Sequence, residues 1–467
     1  MRVLRRPMLR LERLEARDCP TVSISLIAGN LTISGRPTGD LLLKAINNNQ
    51  IQVQDGTKLL GTYNVPGNVT VQLSSRPGAV NFDVNGNTVN GNVLFNLGNG
   101  YTGTGSNPQN RSVNIYDGTV TTALGNGTIR GNVTIQAGDG RELVGVGYIH
   151  KTVAVDQPLT IRGNLTVVGR ASLTFTENFQ LGEGSEVRGS VSVTHYDNVS
   201  LGSQINTITS ITTVRGDVSI STAGVGGGLF ANLYGVFQRN VTVNGAASSS
   251  TSNSFTLAPP ENTVNSVISG NLNVTFASAL NGNLFNILGS AGTAVSQIFG
   301  TTTLTSNNGT LAGDDALLNG QFAKLVTVNL GDGDNDLTVA PASQFNGDFV
   351  YTAAPTTGNG DNDLEFKGLY LGKLIINLGN GDNTVDINAQ VNNTIELKAG
   401  TGNGNNTVTL DSTNNIFNID FLFGNGVDSV TLTTGDTING KIDFGGNTDI
   451  YVPNSANTLG LTLLNLP

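Results

Sequence analysis

The stretch of sequence that decides the fold is V-T-V-N-L-G-D-G-D-N-D-L-T-V, residues 326–339. Apolar and polar residues alternate on both sides of its glycine-rich centre, as they do in short β-strands that bury one face. Glycine allows positive φ angles at a corner, and asparagine tolerates the left-handed region better than most residues that carry a side chain. The stretch therefore predicts two short strands joined by a sharp corner.

This corner recurs along the C-terminal third of the chain, at intervals of 27, 21, 23 and 22 residues measured at its second glycine. These glycines are Gly333, Gly360, Gly381, Gly404 and Gly426. A second phrase reads R-G-N-V-T-I at 130–135 and R-G-N-L-T-V at 162–167, and further copies follow up to residue 274. Short strands repeated with such a period are typical of coils that stack into a solenoid.

We predict an all-β chain that forms a right-handed parallel β-helix, in which each coil stacks about 4.8 Å above the last. In two neighbouring coils the inward residues are expected to be Ile376, Leu378, Val385, Ile387, Ile395, Leu397, Val408 and Leu410. Asparagines at equivalent corners are expected to hydrogen-bond along the stack as a ladder. An antiparallel β-sandwich also has short strands and glycine turns, but it predicts no fixed spacing between equivalent corners.

The pattern divides the chain into three segments. Residues 1–20 form a basic segment, interpreted as an export signature or as a short helix that caps the first coil. Residues 21–452 form the β-helix, with irregular loops expected around 221–260 and 276–320, where the repeat weakens. Residues 453–467 form a C-terminal strand or cap.

The chain carries a net charge of −10, which is unevenly distributed. Residues 1–18 carry +3, so the remaining residues carry −13. An acidic body lacks the basic footprint that nucleic-acid phosphates require, so nucleic acid is not an expected partner. The one cysteine, Cys19, excludes internal disulfides and cysteine-based metal sites, and no apolar stretch is long enough to predict a transmembrane helix.

Residues 10–20, R-L-E-R-L-E-A-R-D-C-P, resemble the L-E-x-L-E-x-R-x-x-P opening of planctomycete-type exported and cell-surface proteins. The resemblance is confined to these residues. It implies a bacterial protein that acts outside the cell or at its surface, where proteins with this opening often contain large repeats. The body of the chain resembles bacterial parallel β-helix repeat proteins.

Five arginines occupy one position of successive repeat units. They are Arg130, Arg162, Arg188, Arg215 and Arg239. Stacked coils would align them in a stripe on one outer edge, where like charges about 5 Å apart repel by roughly 1 kcal/mol in water. Either acidic neighbours such as Glu183, Glu186 and Asp217 compensate the repulsion, or an anionic polysaccharide lies along the stripe and is held by the guanidinium groups.

The C-terminal corners resemble the glycine-aspartate calcium repeats of RTX-type proteins, most closely at G-D-G-D-N-D, residues 331–336. The resemblance implies Ca²⁺ ligands at Asp332, Asp334, Asp361 and Asp382. Here, however, the motif comes once per coil rather than every nine residues, and Asn405 and Val427 replace aspartate at later corners. A ladder of corner hydrogen bonds is the favoured interpretation, and the fold is not expected to require a cofactor.

The function predicted from these features is that of an exported structural or adhesive β-solenoid whose partner is an anionic extracellular polysaccharide or another cell-envelope component. The alternative is a carbohydrate-active enzyme, a polysaccharide lyase or glycoside hydrolase built on a β-helix. Such an enzyme needs carboxylates or a base that converge in one groove. The sequence offers the adjacent pair Asp314 and Asp315, and His150 and His195 about two coils apart, but no catalytic residue is assigned.

Overall fold

The computed structural model describes residues 22–466. Its gaps are 75–77, 99–111, 119–126, 138–142, 150–154, 170–176, 204–210, 223–226, 249–251, 261–263, 290–293, 308–312, 354–359, 412–415, 434–436 and 454–459. All regular secondary structure in the described residues is β-strand. The helix predicted as a cap lies in residues 1–20, outside the described part of the chain. No helix among the described residues is long and apolar enough to cross a membrane.

Sheet A contains 18 of the described strands, and their order in space follows their order in the chain. They are β1 Val22–Ile27, β2 Asn30–Gly35, β6 Val69–Leu73, β9 Val93–Asn96, β12 Val133–Gln136, β17 Leu165–Val168, β20 Val191–Thr194, β23 Val218–Ser221, β26 Val241–Gly245, β29 Leu272–Ala277, β32 Thr302–Asn307, β35 Val326–Asn329, β38 Phe349–Thr352, β40 Leu374–Asn377, β42 Thr394–Lys398, β44 Ile416–Leu422, β46 Thr437–Asp443 and β48 Leu461–Leu464.

Sheet B contains 28 described strands, which form two ladders that merge near the C-terminal end. Ladder B1 contains β3 Leu41–Asn47, β4 Gln50–Asp55, β5 Lys58–Asn64, β7 Val80–Asp83, β10 Ser112–Tyr116, β13 Leu143–Val146, β18 Asn178–Leu181, β21 Asn198–Leu201, β24 Phe230–Leu233, β27 Asn253–Leu257, β30 Asn283–Ile287, β33 Asp315–Leu318, β36 Asp336–Val339, β39 Asp363–Tyr370, β41 Asn383–Val391, β43 Asn406–Leu410, β45 Ser429–Leu432 and β47 Ile450–Val452.

Ladder B2 consists of two- and three-residue strands that lie between B1 and sheet A in the coils between residues 80 and 352. They are β8 Thr88–Val89, β11 Thr128–Ile129, β16 Thr160–Ile161, β19 Glu186–Val187, β22 Thr213–Val214, β25 Val236–Phe237, β28 Ser266–Ile268, β31 Ser296–Ile298, β34 Gly320–Phe322 and β37 Gln344–Phe345. A separate hairpin joins β14 Tyr148–Ile149 to β15 Val155–Asp156.

Neighbouring coils pair in parallel and in register throughout the body. Between residues 80 and 352 each coil passes through B1, B2 and sheet A, so the coil has three faces. The long strand β39 pairs with both β36 and β37, and from there each coil contains only one strand of sheet B and one of sheet A. The structure is therefore a parallel β-helix, as the repeat predicts.

Alternation along each strand fills the inside of the rod with aliphatic and aromatic side chains. All eight predicted inward residues between 376 and 410 are at most 2% exposed. Aromatic rings also stack from coil to coil, with 4.8 Å between the ring centres of Phe322 and Phe345 and 4.6 Å between those of Phe345 and Tyr370. Burial of each such side chain contributes about 1.5–3 kcal/mol, and a single coil cannot supply that burial alone.

The N-terminal end of the rod is covered by antiparallel strands, which the repeat does not predict. In sheet A, β1 pairs antiparallel with β2, and in ladder B1 the strands β3, β4 and β5 form an antiparallel meander. These strands pair with the first coil, so β1 and β5 are the edge strands of the two sheets at this end of the described chain. Within 221–260 and 276–320, where irregular loops were expected, the described strands from β24 to β33 keep the parallel register of their neighbours.

Candidate functional site

Two corners of the coil carry the residues that sequence analysis singled out. The arginine corner joins ladder B2 to sheet A and contains the R-G-N phrase, whereas the aspartate corner joins sheet A to ladder B1 and contains the G-D-G-D-N-D phrase. At the arginine corner an outer ladder runs along the rod, because each side-chain oxygen accepts a hydrogen bond from the backbone N–H of the next coil. The N–H of Asn164 donates to Asn132 Oδ1 at 2.8 Å, and that of Ser190 donates to Asn164 Oδ1 at 2.8 Å.

Glycine occupies this corner in most coils because the coils approach closely there. A Cβ atom on Gly189 would lie 2.6 Å from the carbonyl oxygen of Gly163, and the N–H of Gly189 donates to that same oxygen at 3.1 Å. The predicted corner glycines of the C-terminal third stack in the same way. A Cβ on Gly360 would lie 2.0 Å from Gly333 O, and one on Gly381 would lie 2.2 Å from Gly360 O.

Four of the five predicted arginines form a single column. The residues that precede them end the strands of ladder B2 and pair in register from coil to coil; they are Ile129, Ile161, Val187 and Val214. The arginines that follow therefore lie one above another; they are Arg130, Arg162, Arg188 and Arg215. All four are exposed.

The prediction for Arg239 is wrong by one position. Phe237 pairs with Val214, so Gln238 takes the arginine position, and Arg239 takes the position that glycine occupies in the coils on either side. The sequence contains the signal for this shift: alignment on Asn240-Val241 rather than on the arginine puts Arg239 at the glycine position.

Glu186 compensates part of the charge of the arginine column. Its Oε2 lies 3.2 Å from Arg188 Nε, and its Oε1 lies 2.5 Å from Arg215 Nη2, so one carboxylate bridges two neighbouring coils. The other proposed acidic partners have different positions: Glu183 is only 3% exposed, and Asp217 Oδ1 accepts the backbone N–H of Asn240 at 3.1 Å as part of the outer ladder. Acidic compensation is thus present, but among the described residues it reaches only Arg188 and Arg215.

An open groove of about 680 Å³ lies where the column meets the displaced arginine; we call it the arginine groove. Its lining residues are Arg188, Arg215, Gly216, Gln238, Arg239, Asn240 and Gly270. Three guanidinium groups and two side-chain amides therefore face one depression. None of these lining residues carries a carboxylate or an imidazole. With Glu186 and Asp217 counted, the groove and its surroundings carry a net charge of +1 on an otherwise acidic chain.

The predicted calcium ligands at the aspartate corner form a hydrogen-bond ladder. The N–H of Asp361 donates to Asp334 Oδ1 at 2.9 Å, that of Asp382 to Asp361 Oδ1 at 2.7 Å, and that of Asn405 to Asp382 Oδ1 at 2.6 Å. Asp332 lies outside this series and is half-buried. Among the described residues no three acidic or histidine side chains are grouped as a metal site. The geometry supports the corner-ladder interpretation.

Behind this outer series lies an inner ladder of buried polar side chains, which confirms the asparagine ladder expected from the sequence, although sequence analysis did not identify its members. It begins where Asn253 Nδ2 donates to Asn283 Oδ1 at 2.9 Å, and it ends at Asp449, 8% exposed. Its members are Asn253, Asn283, Asp314, Asn335, Asn362, Asn383, Asn406, Asp428 and Asp449. Buried amides that bond to each other across coils satisfy groups that would otherwise be costly to enclose.

An acidic column runs along the outer face of ladder B1, next to the aspartate corner. Asp315, Asp336 and Asp363 pair in register, so their carboxylates repeat about every 4.8 Å. Partial burial, followed by the charges of Asp363 and Asp334, raises the pKa of Asp336. Partial burial and the charges of Asp336 and Asp314 likewise raise the pKa of Asp315.

The residues considered for catalysis do not converge. Asp314 is fully buried in the inner ladder, whereas its neighbour Asp315 is exposed on the opposite side of the chain. His195 adopts a φ of 64°, and its Nδ1 lies 3.2 Å from the carbonyl oxygen of Gly169. His150 falls outside the described residues. The described carboxylates thus offer no pair of the kind that glycoside hydrolysis requires in the arginine groove.

No family model matches the chain, and no curated protein or solved structure matches it either.

Proposed function

We propose that this chain is an extracellular or cell-surface β-solenoid that binds an anionic polysaccharide at the arginine groove. The observation that carries the proposal is the convergence of Arg188, Arg215 and Arg239 on one open groove of an acidic protein. Guanidinium groups bind carboxylates and sulfates through paired hydrogen bonds, which lysine does not reproduce. Arg130 and Arg162 extend the same column by two coils, which suits a polymer better than a small anion.

The surface beside the groove also suits a hydroxyl-rich polymer. The outward residues of sheet A next to the arginine corner are short and uncharged, and they pair in register from coil to coil. They are Thr166, Ser192, Ser219 and Thr242. A polysaccharide that lies along the rod would place its charged groups on the arginines and its hydroxyl groups on this face. The N-terminal resemblance to exported proteins supports a location where such polymers occur.

Retention on immobilised polymers tests the proposal. The wild-type chain should be retained on a polyuronate and on dextran sulfate, should elute as salt is raised, and should pass freely over neutral dextran. The triple variant Arg188→Gln, Arg215→Gln, Arg239→Gln should lose about a hundredfold in affinity, because three charge-assisted contacts of about 1 kcal/mol each are removed.

A matched variant separates this site from general charge. Lys58→Gln, Lys398→Gln, Lys441→Gln removes the same three positive charges at positions outside the groove lining, and it should retain wild-type binding. The single variant Arg239→Gly restores the corner glycine and should weaken binding while leaving the fold intact. Equal retention of the groove variant and the wild type would end the proposal, as would equal losses in the groove variant and the lysine variant.

A further inference from the structure

The inner ladder ends on two carboxylates, Asp428 and Asp449, and neither side chain has the N–H group that donates from coil to coil in the preceding steps. At earlier steps the amide Nδ2 of one coil donates to Oδ1 of the next, as from Asn383 to Asn406 and from Asn406 to Asp428, both at 2.7 Å. Asp428 has no amide hydrogen to pass on. The side chain of the next coil is reached by the backbone N–H of Asp428, which donates to Asp449 Oδ1 at 2.9 Å.

Both carboxylates are enclosed, and each has one oxygen without a partner. Asp428 is 0% exposed and Asp449 is 8% exposed, and within the described part of the chain neither Oδ2 atom has a hydrogen-bond partner. Asp314, the other carboxylate of this ladder, differs because the N–H of Gly331 donates to its Oδ2 at 3.4 Å. A buried charged oxygen without a hydrogen-bond partner is costly to enclose, and a carboxylate that has one usually takes up a proton instead.

We propose that Asp428 and Asp449 bind one proton between them, in place of the amide hydrogen that continues the ladder at earlier coils. With the proton present, Asp428 is neutral and donates towards Asp449, so the polar column remains complete to its last coil. Without the proton, two acceptors and two negative charges oppose each other inside the rod. The pair is a proton-binding site that secures the last coil.

The surroundings of the pair support this assignment. Burial raises the pKa of Asp428, the hydrogen bonds from Asn406 lower it, and the charge of Asp449 raises it further, with a net upward shift. The charged side chains on the sheet A strands packed opposite, Asp420, Lys441 and Asp443, alternate with buried residues and occupy outward positions. No described cation therefore faces the pair.

The last coil is coupled directly to the site. The N–H of Ile450 donates to Asp428 O at 2.8 Å, and Asp449 immediately precedes β47, the edge strand of sheet B. Because the pKa of Asp428 is raised in the folded state, the folded form binds more protons than the unfolded form between the ordinary aspartate pKa of about 3.9 and the raised value. The stability of the last coil therefore falls as pH rises through that window and is greatest at its acidic end.

Hydrogen exchange of β47 as a function of pH tests the proposal, after correction for the intrinsic exchange rate. In the wild type, protection of 450–452 should fall as pH rises across the window, by up to about tenfold per pH unit. Asp428→Asn supplies the missing donor, so its protection should match the acidic wild type and should not depend on pH. Asp449→Asn offers a second donor at the same pair and should behave alike, whereas the exposed control Asp420→Asn should retain the wild-type profile.

A wild-type profile that is flat between pH 4 and pH 8 would overturn the proposal, as would lower protection in both Asp428→Asn and Asp449→Asn. The exchange is repeated with added calcium and with chelator. A dependence on calcium that disappears in Asp428→Asn would assign the site to a metal cation and would also overturn it.

Discussion

The arginine corner and the aspartate corner stack their coils by the same means but present opposite charges. At both, a side-chain oxygen accepts the backbone N–H of the next coil, from Asn164 to Asn132 at one corner and from Asp382 to Asp361 at the other. The arginine corner uses mainly amides for this purpose and carries its charge on exposed arginines beside them. The aspartate corner uses carboxylates and has the buried inner ladder behind them.

Both corners stack through short side-chain oxygens and a close backbone approach that is usually made at glycine, and the neighbouring position takes no part in these contacts. Arginine at that position contributes nothing that stacking needs, since Gln238 and Ser269 occupy it in later coils. The residue at this position can therefore change from coil to coil without loss of stacking. At the aspartate corner, by contrast, the charged residues are themselves part of the stacking bonds.

The largest effect expected is from a side chain at the glycine column of the aspartate corner. In Gly381→Ala the new Cβ would lie 2.2 Å from Gly360 O, so the coils must separate, at a cost of about 3 kcal/mol. Gly189→Ala at the arginine corner should cost less, about 1 kcal/mol, because that corner already accommodates Arg239. Urea unfolding of both variants measures the difference. Gly446→Ala, with nothing within 4 Å of the new atom, is the control. Equal costs at the two corners would contradict the comparison.

The inner and outer ladders should differ in what they contribute to stability. Asn383→Ala removes a buried amide that donates to Asn406 and accepts from Asn362, and it should destabilise the protein by about 2 kcal/mol because partners are left unsatisfied. Asn92→Ala removes one exposed acceptor of the outer ladder and should cost about 1 kcal/mol or less. Thermal unfolding of both variants distinguishes them, and a larger loss for Asn92→Ala would contradict the assignment.

The acidic column predicts that the stability of the coils around Asp315 and Asp336 depends on pH. The raised pKa values of Asp315 and Asp336 mean that folding is favoured as pH falls from neutrality towards the ordinary aspartate value. Asp336→Asn should reduce that gain by a few tenths of a kcal/mol, since solvent screens these partly exposed charges. Urea midpoints at pH 5 and pH 7 measure it, with Asp217→Asn in the arginine region as the comparison. An unchanged pH dependence in Asp336→Asn would contradict the prediction.

The smallest effect is expected from calcium. Since Oδ1 of Asp334, Asp361 and Asp382 each accepts a backbone N–H, the corner is complete without a metal, and the melting temperature should not respond to calcium or chelator. A rise of several degrees with calcium, abolished by Asp361→Asn, would show that the resemblance to calcium repeats extends to binding.

Much of the fold was predictable because its signal is periodic. The spacing of the corner glycines and the alternation of residues such as Ile376 and Leu378 follow directly from stacking in register. The antiparallel strands at the N-terminal end were not predictable, because alternation between residues 22 and 64 indicates strands but carries no information on their direction.

The sites were less predictable than the fold because their buried members are polar. Asn335 is 1% exposed and continues the inward positions of Leu337 and Val339, whereas its neighbour Asp334 is exposed, but an asparagine does not mark a buried position as an apolar residue does. The arginine column was predicted correctly at four positions, but Arg239 lies one residue after the arginine position of its coil. The bridging role of Glu186 depends on side-chain length and direction, which spacing alone does not supply.

Distances between spin labels on sheet A test the stacking of coils most directly. In a chain with Cys19 replaced by serine, labels at Thr70 and Thr242 lie six coils apart in register, and labels at Thr70 and Thr327 lie nine coils apart. At about 4.8 Å per coil, a parallel β-helix predicts separations of roughly 29 Å and 43 Å. Two similar distances, or a shorter distance for the second pair, would contradict a rod of coils stacked in register.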